Sequence, residues 1–347
     1  MGKAFDEVGL EQAIFVLKKD KMPQNHAVII KNYKTFINQI PQQFFIDKSI
    51  ILTSLDKEKF NLVQKIEKKS ILLSTIADMP RGISCTSNLY SDKKNRDNTW
   101  VLGGTNIKRY TVEDGGKRKP NRYFNFKENN NILNEKKDIF KSKRIIYQNI
   151  APSVPKIVAT IVEDYITDDT INNLILLDKN YSDEYILALL NSKLFTFYLK
   201  YAIINNATLT VHLDKPYVGR FPIRSINLKD QNYFITQINK IFELYSNFKE
   251  NQISFLSLIE SNFDIKINQK LEKWFEMNVI DFIKELKKTK KGLSLPSQKE
   301  WQKMFNTEQP TIKNIVEELK NIENELNKKI YELYNLTTDE INLIENE

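Results

Sequence analysis

The spacing of apolar residues changes once along this chain, and that change constrains what it can fold into. Before about Ile226 the apolar residues come in short runs bounded by turn residues, the pattern of strands. From about Asp230 almost to the end they recur three or four apart, the pattern of helices buried on one side. Two regimes in separate parts of one chain predict an α+β architecture, a mixed-sheet domain followed by a mostly helical one. With 347 residues, 41% apolar and 11% aromatic, there is material for two or three cores.

In the first part, Gln12 to Leu17 and His26 to Lys31 are β-prone and flank the polar segment Lys18 to Asn25, which contains Pro23, so they predict a hairpin. Asp56 is placed to cap a helix running to about Lys69. The apolar run Ser70 to Ile76 follows and leads into Pro80-Arg81-Gly82. Lys143 to Ile150 and Lys156 to Val162 predict strands joined by Ala151-Pro152-Ser153-Val154-Pro155, and Leu174 to Leu177 predicts a third. Ser182-Asp183-Glu184 predicts the start of one helix whose apolar face carries Ile186, Leu189, Leu190, Leu194, Phe197 and Tyr201. The division that results is a hairpin at 1–35, a linker with a helix at 36–71, a domain at 72–226 and a helical domain at 227–347.

In the helical part, Leu271, Trp274, Phe275, Val279, Phe282, Ile283 and Leu286 predict one apolar stripe. Ile312, Ile315, Leu319, Ile322, Leu326 and Leu333 predict a second, with Lys329 out of register. Such a stripe serves either a helix docked in its own fold or an intermolecular coiled coil. The second use would make the chain a helical protein–protein adaptor.

Several function classes lose their residues. Cys85 is the only cysteine, so no intrachain disulfide forms, and with His26 and His212 as the only histidines there is no soft ligand set at zinc spacing. No stretch reaches the roughly 18 apolar residues of a membrane helix and no secretory pattern opens the sequence, so the expectation is a cytoplasmic protein without membrane contact. Gly103-Gly104 and Gly115-Gly116 lie in polar loops with no amphipathic helix after them, which makes them poor nucleotide cradles. Glu67-Lys68-Lys69, Glu135-Lys136-Lys137 and Glu285-Leu286-Lys287 fit half of a nuclease motif. Such triplets arise by chance in a Lys- and Glu-rich chain, and two of these sit in helical pattern where that chemistry needs a strand. Cys85 reads as a small side chain rather than a nucleophile.

What remains is basic. A net charge of +8 and a pI near 9.1 suit an anionic partner, although a Lys-, Asn- and Ile-rich composition also follows from an AT-rich genome. Position supports nucleic acid: Thr105-Asn106-Ile107-Lys108-Arg109-Tyr110 sits beside a Gly pair that lets backbone approach a phosphate. Lys117-Arg118-Lys119-Pro120-Asn121-Arg122-Tyr123 is the densest basic cluster, and Lys141, Lys143 and Arg144 precede Gln148-Asn149. Arg bidentate to guanine and Asn or Gln bidentate to adenine are the favoured base readings. The candidate DNA-contacting residues are therefore Arg81, Asn106, Lys108, Arg109, Lys117, Arg118, Lys143, Arg144, Gln148 and Asn149.

The ordered blocks Leu102 to Tyr110, Lys143 to Asn149, Pro155 to Thr160 and Leu187 to Leu194 together resemble the C-terminal specificity region of type IIG restriction-modification enzymes, which are adenine-specific DNA methyltransferases. Leu271 to Phe275, Leu293-Ser294-Leu295 with Glu300-Trp301, and Ile330 to Thr337 with Glu340-Ile341 are similar to the closing helices of the same proteins. Ala4 to Lys31 looks like the last strand pair of their methyltransferase core. The resemblance implies a module that reads a site in double-stranded DNA for a methyltransferase or nuclease domain or subunit, and that is no enzyme on its own. The cofactor turn and the Asn-Pro-Pro-Tyr loop of that core are not among these residues. S-adenosylmethionine and Mg²⁺ are therefore expected only with the catalytic partner, and the family's catalytic roles have no residues here to land on.

Overall fold

The computed structural model describes residues 14–21, 23, 25–32, 35–48, 50–84, 89–115, 120–125, 136–150, 155–207, 211–263, 265–289 and 293–347. The architecture is α+β. The chain divides into two compact units, one made of 1–235 with 327–347 and the other of 236–326.

The first unit opens with an antiparallel hairpin of β1 (Ala27–Asn32) and β2 (Thr35–Pro41), paired from Ala27 with Pro41 to Asn32 with Thr35. This corrects the sequence expectation, in which β1 takes Gln12 to Leu17 as its partner. Ile14 to Leu17 form no strand and are exposed, because four consecutive apolar residues offer no alternation that buries one face. In β2, by contrast, Asn38 and Ile40 turn inward with Ile30 of β1. After α1 (Gln42–Lys48), Asp56 caps α2 (Lys57–Glu67) by accepting from the Lys59 amide at 2.8 Å, which satisfies a donor that the first helical turn leaves open. The apolar run after α2 is divided between β3 (Ser70–Leu72), a 3-10 turn and β4 (Ala77–Asp78).

The chain then adds β5 (Tyr90–Ser91), β6 (Thr99–Leu102), β7 (Ile107–Lys108), β8 (Thr111–Val112), β9 (Arg122–Phe124) and α3 (Lys137–Lys141). It continues through β10 (Arg144–Gln148), β11 (Ala159–Val162), β12 (Ile166–Thr167), β13 (Ile171–Leu176), α4 (Asp183–Leu190), α5 (Lys193–Tyr198), α6 (Lys215–Val218) and β14 (Pro222–Arg224). One sheet, β11-β10-β13-β4, is antiparallel throughout. A second, β12-β6-β9-β5, is mixed because β12 runs parallel to β6. β3 and β14 pair with each other, as do β7 and β8. Within β10, Arg144 to Tyr147 are all buried, since strands flank it on both sides and α4 packs against it and β11.

The single helix expected from Ser182 to Tyr201 is broken. Asn191 leaves the helix to pair its side-chain amide with the backbone of Ala159, accepting from N–H at 3.2 Å and donating to C=O at 3.0 Å. Ser192 then starts α5 by accepting from the Phe195 amide. The two segments meet at 58°. Their apolar character belongs to the core, and among the described residues no single helix is long and apolar enough to cross a membrane.

The second unit takes the greater part of α7 (Leu228–Phe263) and α9 (Leu295–Leu333), with α8 (Val279–Thr289) between them. The stripe expected from Leu271 to Leu286 is carried by two pieces, a 3-10 turn over Leu271–Glu276 and α8. Asn278 opens α8 by accepting from the Asp281 amide at 2.9 Å. Both pieces feed one core in which Trp274 stacks on Phe255 at 3.8 Å beside Phe282, Trp301 and Phe305. Ile312, Leu319, Ile322 and Leu326 of α9 are buried in the protein's own fold, which uses the second stripe for intramolecular packing.

In the first unit α10 (Thr338–Glu345) is fastened by carboxylates. Glu340 pairs with Lys65 at 2.6 Å, Glu345 with Lys193, and Glu347 with Lys200 at 2.6 Å and Lys59 at 3.3 Å. Burial raises the Glu345 carboxyl, but Lys193 and the Tyr331 hydroxyl outweigh it, and the net position is below the usual carboxylate range. A carboxyl depressed in the folded state stabilises above its unfolded value, about 4.3, and that contribution is lost as pH falls through the folded value. Glu345→Gln should therefore lower stability near pH 7 by about 1 kcal/mol or less for so exposed a pair, with a lower thermal midpoint, and the difference should narrow as pH falls through the folded carboxyl's range. Midpoints of both proteins measured across this range check it, and an equal difference at both ends would remove the carboxylate as the cause.

Candidate nucleic-acid interface

The residues singled out by sequence fall into three places. Lys143 and Arg144 stand at the start of β10, roughly 16 Å of extended strand away from Gln148 and Asn149 at its end. Lys143 is half exposed and pairs with Glu184 at 2.5 Å. Arg144 is fully buried: Nε donates to Asn173 Oδ1 at 2.8 Å, Nη1 to the carbonyls of Phe140 and Ser142, and Nη2 to that of Tyr165. Burial pulls its guanidinium down to about 10, partly offset by Asp164, so it stays charged at neutral pH. It is an internal tie, and the expectation that it reaches a phosphate or a base is corrected.

The second place is the loop that follows β6. Asn106 is buried; its Oδ1 accepts from the Gly103 amide at 2.9 Å, and its Nδ2 donates to the Glu113 carbonyl and to Asn121. Gln148 donates through Nε2 to the Gly104 carbonyl at 2.7 Å and the Ile107 carbonyl at 3.1 Å. Arg109 donates to the Asn191 carbonyl at 2.8 Å and lies over the Tyr110 ring. These three polar side chains therefore build the loop and fix it to β10 and α4. Lys108, exposed and at 3.4 Å from the Thr105 carbonyl, is left on the surface of that loop. Arg122 of the same basic segment is held over the Tyr90 ring and pairs with buried Asp168. Lys117 and Arg118 lie outside the described residues.

The third place is where side chains converge. Arg81 is about half exposed and forms a two-pronged pair with Asp214, Nε to Oδ1 at 2.9 Å and Nη2 to Oδ2 at 2.7 Å. Asn149, buried at the end of β10, donates from Nδ2 to the same Asp214 at 3.2 Å, and its Oδ1 lies 3.3 Å from His212 Nδ1, a spacing that suits the Nδ1–H tautomer. Arg81, His212 and Asp214 line an open cleft of about 600 Å³ with Val211 and Tyr217. The arm that carries Arg81 can lie this close only because residue 82 is glycine: a Cβ there would collide with the backbone of Thr167 and Asp168. Asn172, Cα partner of Tyr147 across the sheet, donates to the Leu213 carbonyl at 2.9 Å and so fixes the segment that carries His212 and Asp214.

Of the residues singled out by sequence, Arg81 lines this cleft and Asn149 stands beside it, whereas Asp214, His212 and Tyr217 are not among the candidates. The available signal was His212-Leu213-Asp214 ahead of Lys215-Pro216, one of two histidines next to an acid at a helix start. The cleft thus brings a guanidinium, a carboxylate and an imidazole to one open face, all of them able to exchange hydrogen bonds with a polar ligand.

Residues 99–223 match the model of the TaqI-like C-terminal specificity domain. The matched segment runs from β6 into β14 and holds His212 and Asp214 of the cleft and Asn149 behind them, with Arg81 upstream of it. The expected resemblance to a specificity region thus holds over this segment. Residues 227–330 match the model of a domain of unknown function, DUF8810. Among solved structures, the chain is similar to the type IIG restriction endonuclease BpuSI at 12% identity and a TM-score of 0.40, over 58% of this chain and 30% of that one. It is also similar to the HsdS subunit from Thermoanaerobacter tengcongensis at 9% identity and a TM-score of 0.32, over 60% of this chain and 53% of that one. The chain spans about a third of the first of these proteins and about half of the second. No curated protein sequence matches it.

Proposed function

We propose that the specificity-domain unit binds double-stranded DNA, reads a particular site through the Arg81, His212 and Asp214 cleft, and positions a methyltransferase or nuclease domain or subunit there. The observation that carries this reading is the specificity-domain match over residues 99–223, the segment that places His212 and Asp214 in the same cleft as Arg81. Asp214 holds the guanidinium of Arg81 in a fixed plane, which favours bidentate recognition because little side-chain freedom is left to lose on binding. Lys108 and the segment around Lys117 and Arg118 would anchor phosphates. S-adenosylmethionine and Mg²⁺ chemistry would be the partner's, and this chain would supply the address.

Phosphate contact makes binding salt-dependent, with log K falling by about 0.9 per phosphate for each decade of salt. The purified chain is expected to lose about a hundredfold or more in affinity for duplex DNA between 50 and 200 mM salt, which corresponds to about four phosphate contacts. A fluorescence-anisotropy titration with a mixed-sequence duplex measures it. An affinity unchanged over that interval would retire the DNA-reading proposal.

A further inference from the structure

The helical unit carries a charge pattern that the specificity-domain reading leaves unused. Residues 236–326 are balanced, with 14 lysines and 14 acidic residues, yet between Lys284 and Lys303 there are seven lysines against Glu285 and Glu300. Lys284 and Lys287 line a groove of about 270 Å³ with Val279, Ile280, Ile283 and Gln302, so α8 forms one wall and α9 the other. Lys299 stands one turn before Gln302 on α9, and Lys303 directly after it; both are exposed. Lys288 is neutralised by Glu285 at 3.1 Å, whereas Lys284, Lys287, Lys299 and Lys303 form no ion pair with another described residue.

Helix electrostatics explain only part of this. Lys287 and Lys288 in the last turn of α8 offset the negative end of that helix. The first turn of α9 is its positive end; it contains no acid, and Lys299 follows in the second turn, so charge accumulates where a helix alone would favour the opposite sign. An anion placed along the groove would offset the positive start of α9 together with the lysines beside it. Ile280, 76% exposed at the groove edge, adds apolar surface suited to sugar faces between phosphates.

We propose that this groove is a second contact to duplex DNA, made to the phosphate backbone and indifferent to sequence. It rests on the reading of the first unit as a DNA-recognition module, and it gives the helical unit a share of the affinity rather than of the specificity.

The test uses the full chain. A Lys284→Ala, Lys287→Ala double variant is expected to bind a duplex about tenfold more weakly at 0.1 M salt, with the salt slope reduced by about two and the preferred sequence unchanged. Lys313→Ala, roughly 16 Å further along α9 from Gln302, serves as the control and should leave the slope unaltered. Acetylation of lysines with and without a bound duplex gives an independent readout, in which Lys284 and Lys287 should be protected and Lys313 should not. If the parent chain binds duplex DNA while the double variant keeps its slope and Lys284 and Lys287 stay unprotected, the groove is not a DNA contact and the reading of the first unit stands. If the parent chain shows no salt-dependent binding, both fall.

Discussion

Arg144→Met should destabilise the first unit by about 3 kcal/mol or more, with Met chosen to fill most of the volume and leave the hydrogen-bond acceptors bare. The guanidinium satisfies Asn173 Oδ1 and the carbonyls of Phe140, Ser142 and Tyr165 inside the fold. A buried acceptor left without a donor costs about 1–3 kcal/mol, and a substitution that strands several belongs to the large end of mutational effects. Urea unfolding followed by hydrogen exchange at the β10 amides isolates this unit from the helical one. The opposite outcome, a protein of parental stability that no longer binds DNA, would return Arg144 to the contact surface that its basic neighbourhood suggests.

That reversal shows which part of the molecule was legible in the sequence. Local signals read well: Asp56 and Ser182 cap the helices they predict, and among the described residues every strand precedes the change of period near Ile226. Polar residues in and beside the strands read badly. Arg144, Asn106 and Asn149 look like surface donors because each is flanked by polar or basic neighbours, but their partners lie elsewhere in the chain: Asn173 for Arg144, Asn121 for Asn106 and Asp214 for Asn149. Burial of a polar group is decided by a partner that satisfies it, and such partners are set by topology rather than by local pattern. The break at Asn191 has the same origin. The apolar period runs through it unbroken, while the bond to Ala159 that ends the helix is made across the fold. Asp214 was not legible for the same reason: its pairing with Arg81 exists only once two segments far apart in the chain are folded together.

Arg81→Ala should therefore change which sequence is bound, while Lys117→Ala should change only how tightly any duplex is held. The pair of Arg81 with Asp214 is half exposed and worth about 1 kcal/mol or less to folding, so loss of function here should not be loss of structure. A bidentate contact to a base edge contributes about 1–3 kcal/mol of discrimination, which predicts roughly a five- to 150-fold weaker grip on the preferred site with nonspecific affinity only slightly reduced. Arg81→Lys keeps the charge and loses the planar fork, so it should behave like Arg81→Ala in sequence preference and like the parent in salt dependence. Lys117→Ala should lower the salt slope by about one and leave the preference alone. Arg109→Ala and Gln148→Ala should show first in the thermal midpoint, since their donors hold the Asn191, Gly104 and Ile107 carbonyls. Binding each protein to a randomised duplex library and sequencing the retained fraction separates these outcomes. If Arg81→Ala and Arg81→Lys both retain the parental preference, the cleft at Asp214 is not the reading surface, and specificity lies in a loop such as the one from Gly103 to Tyr110.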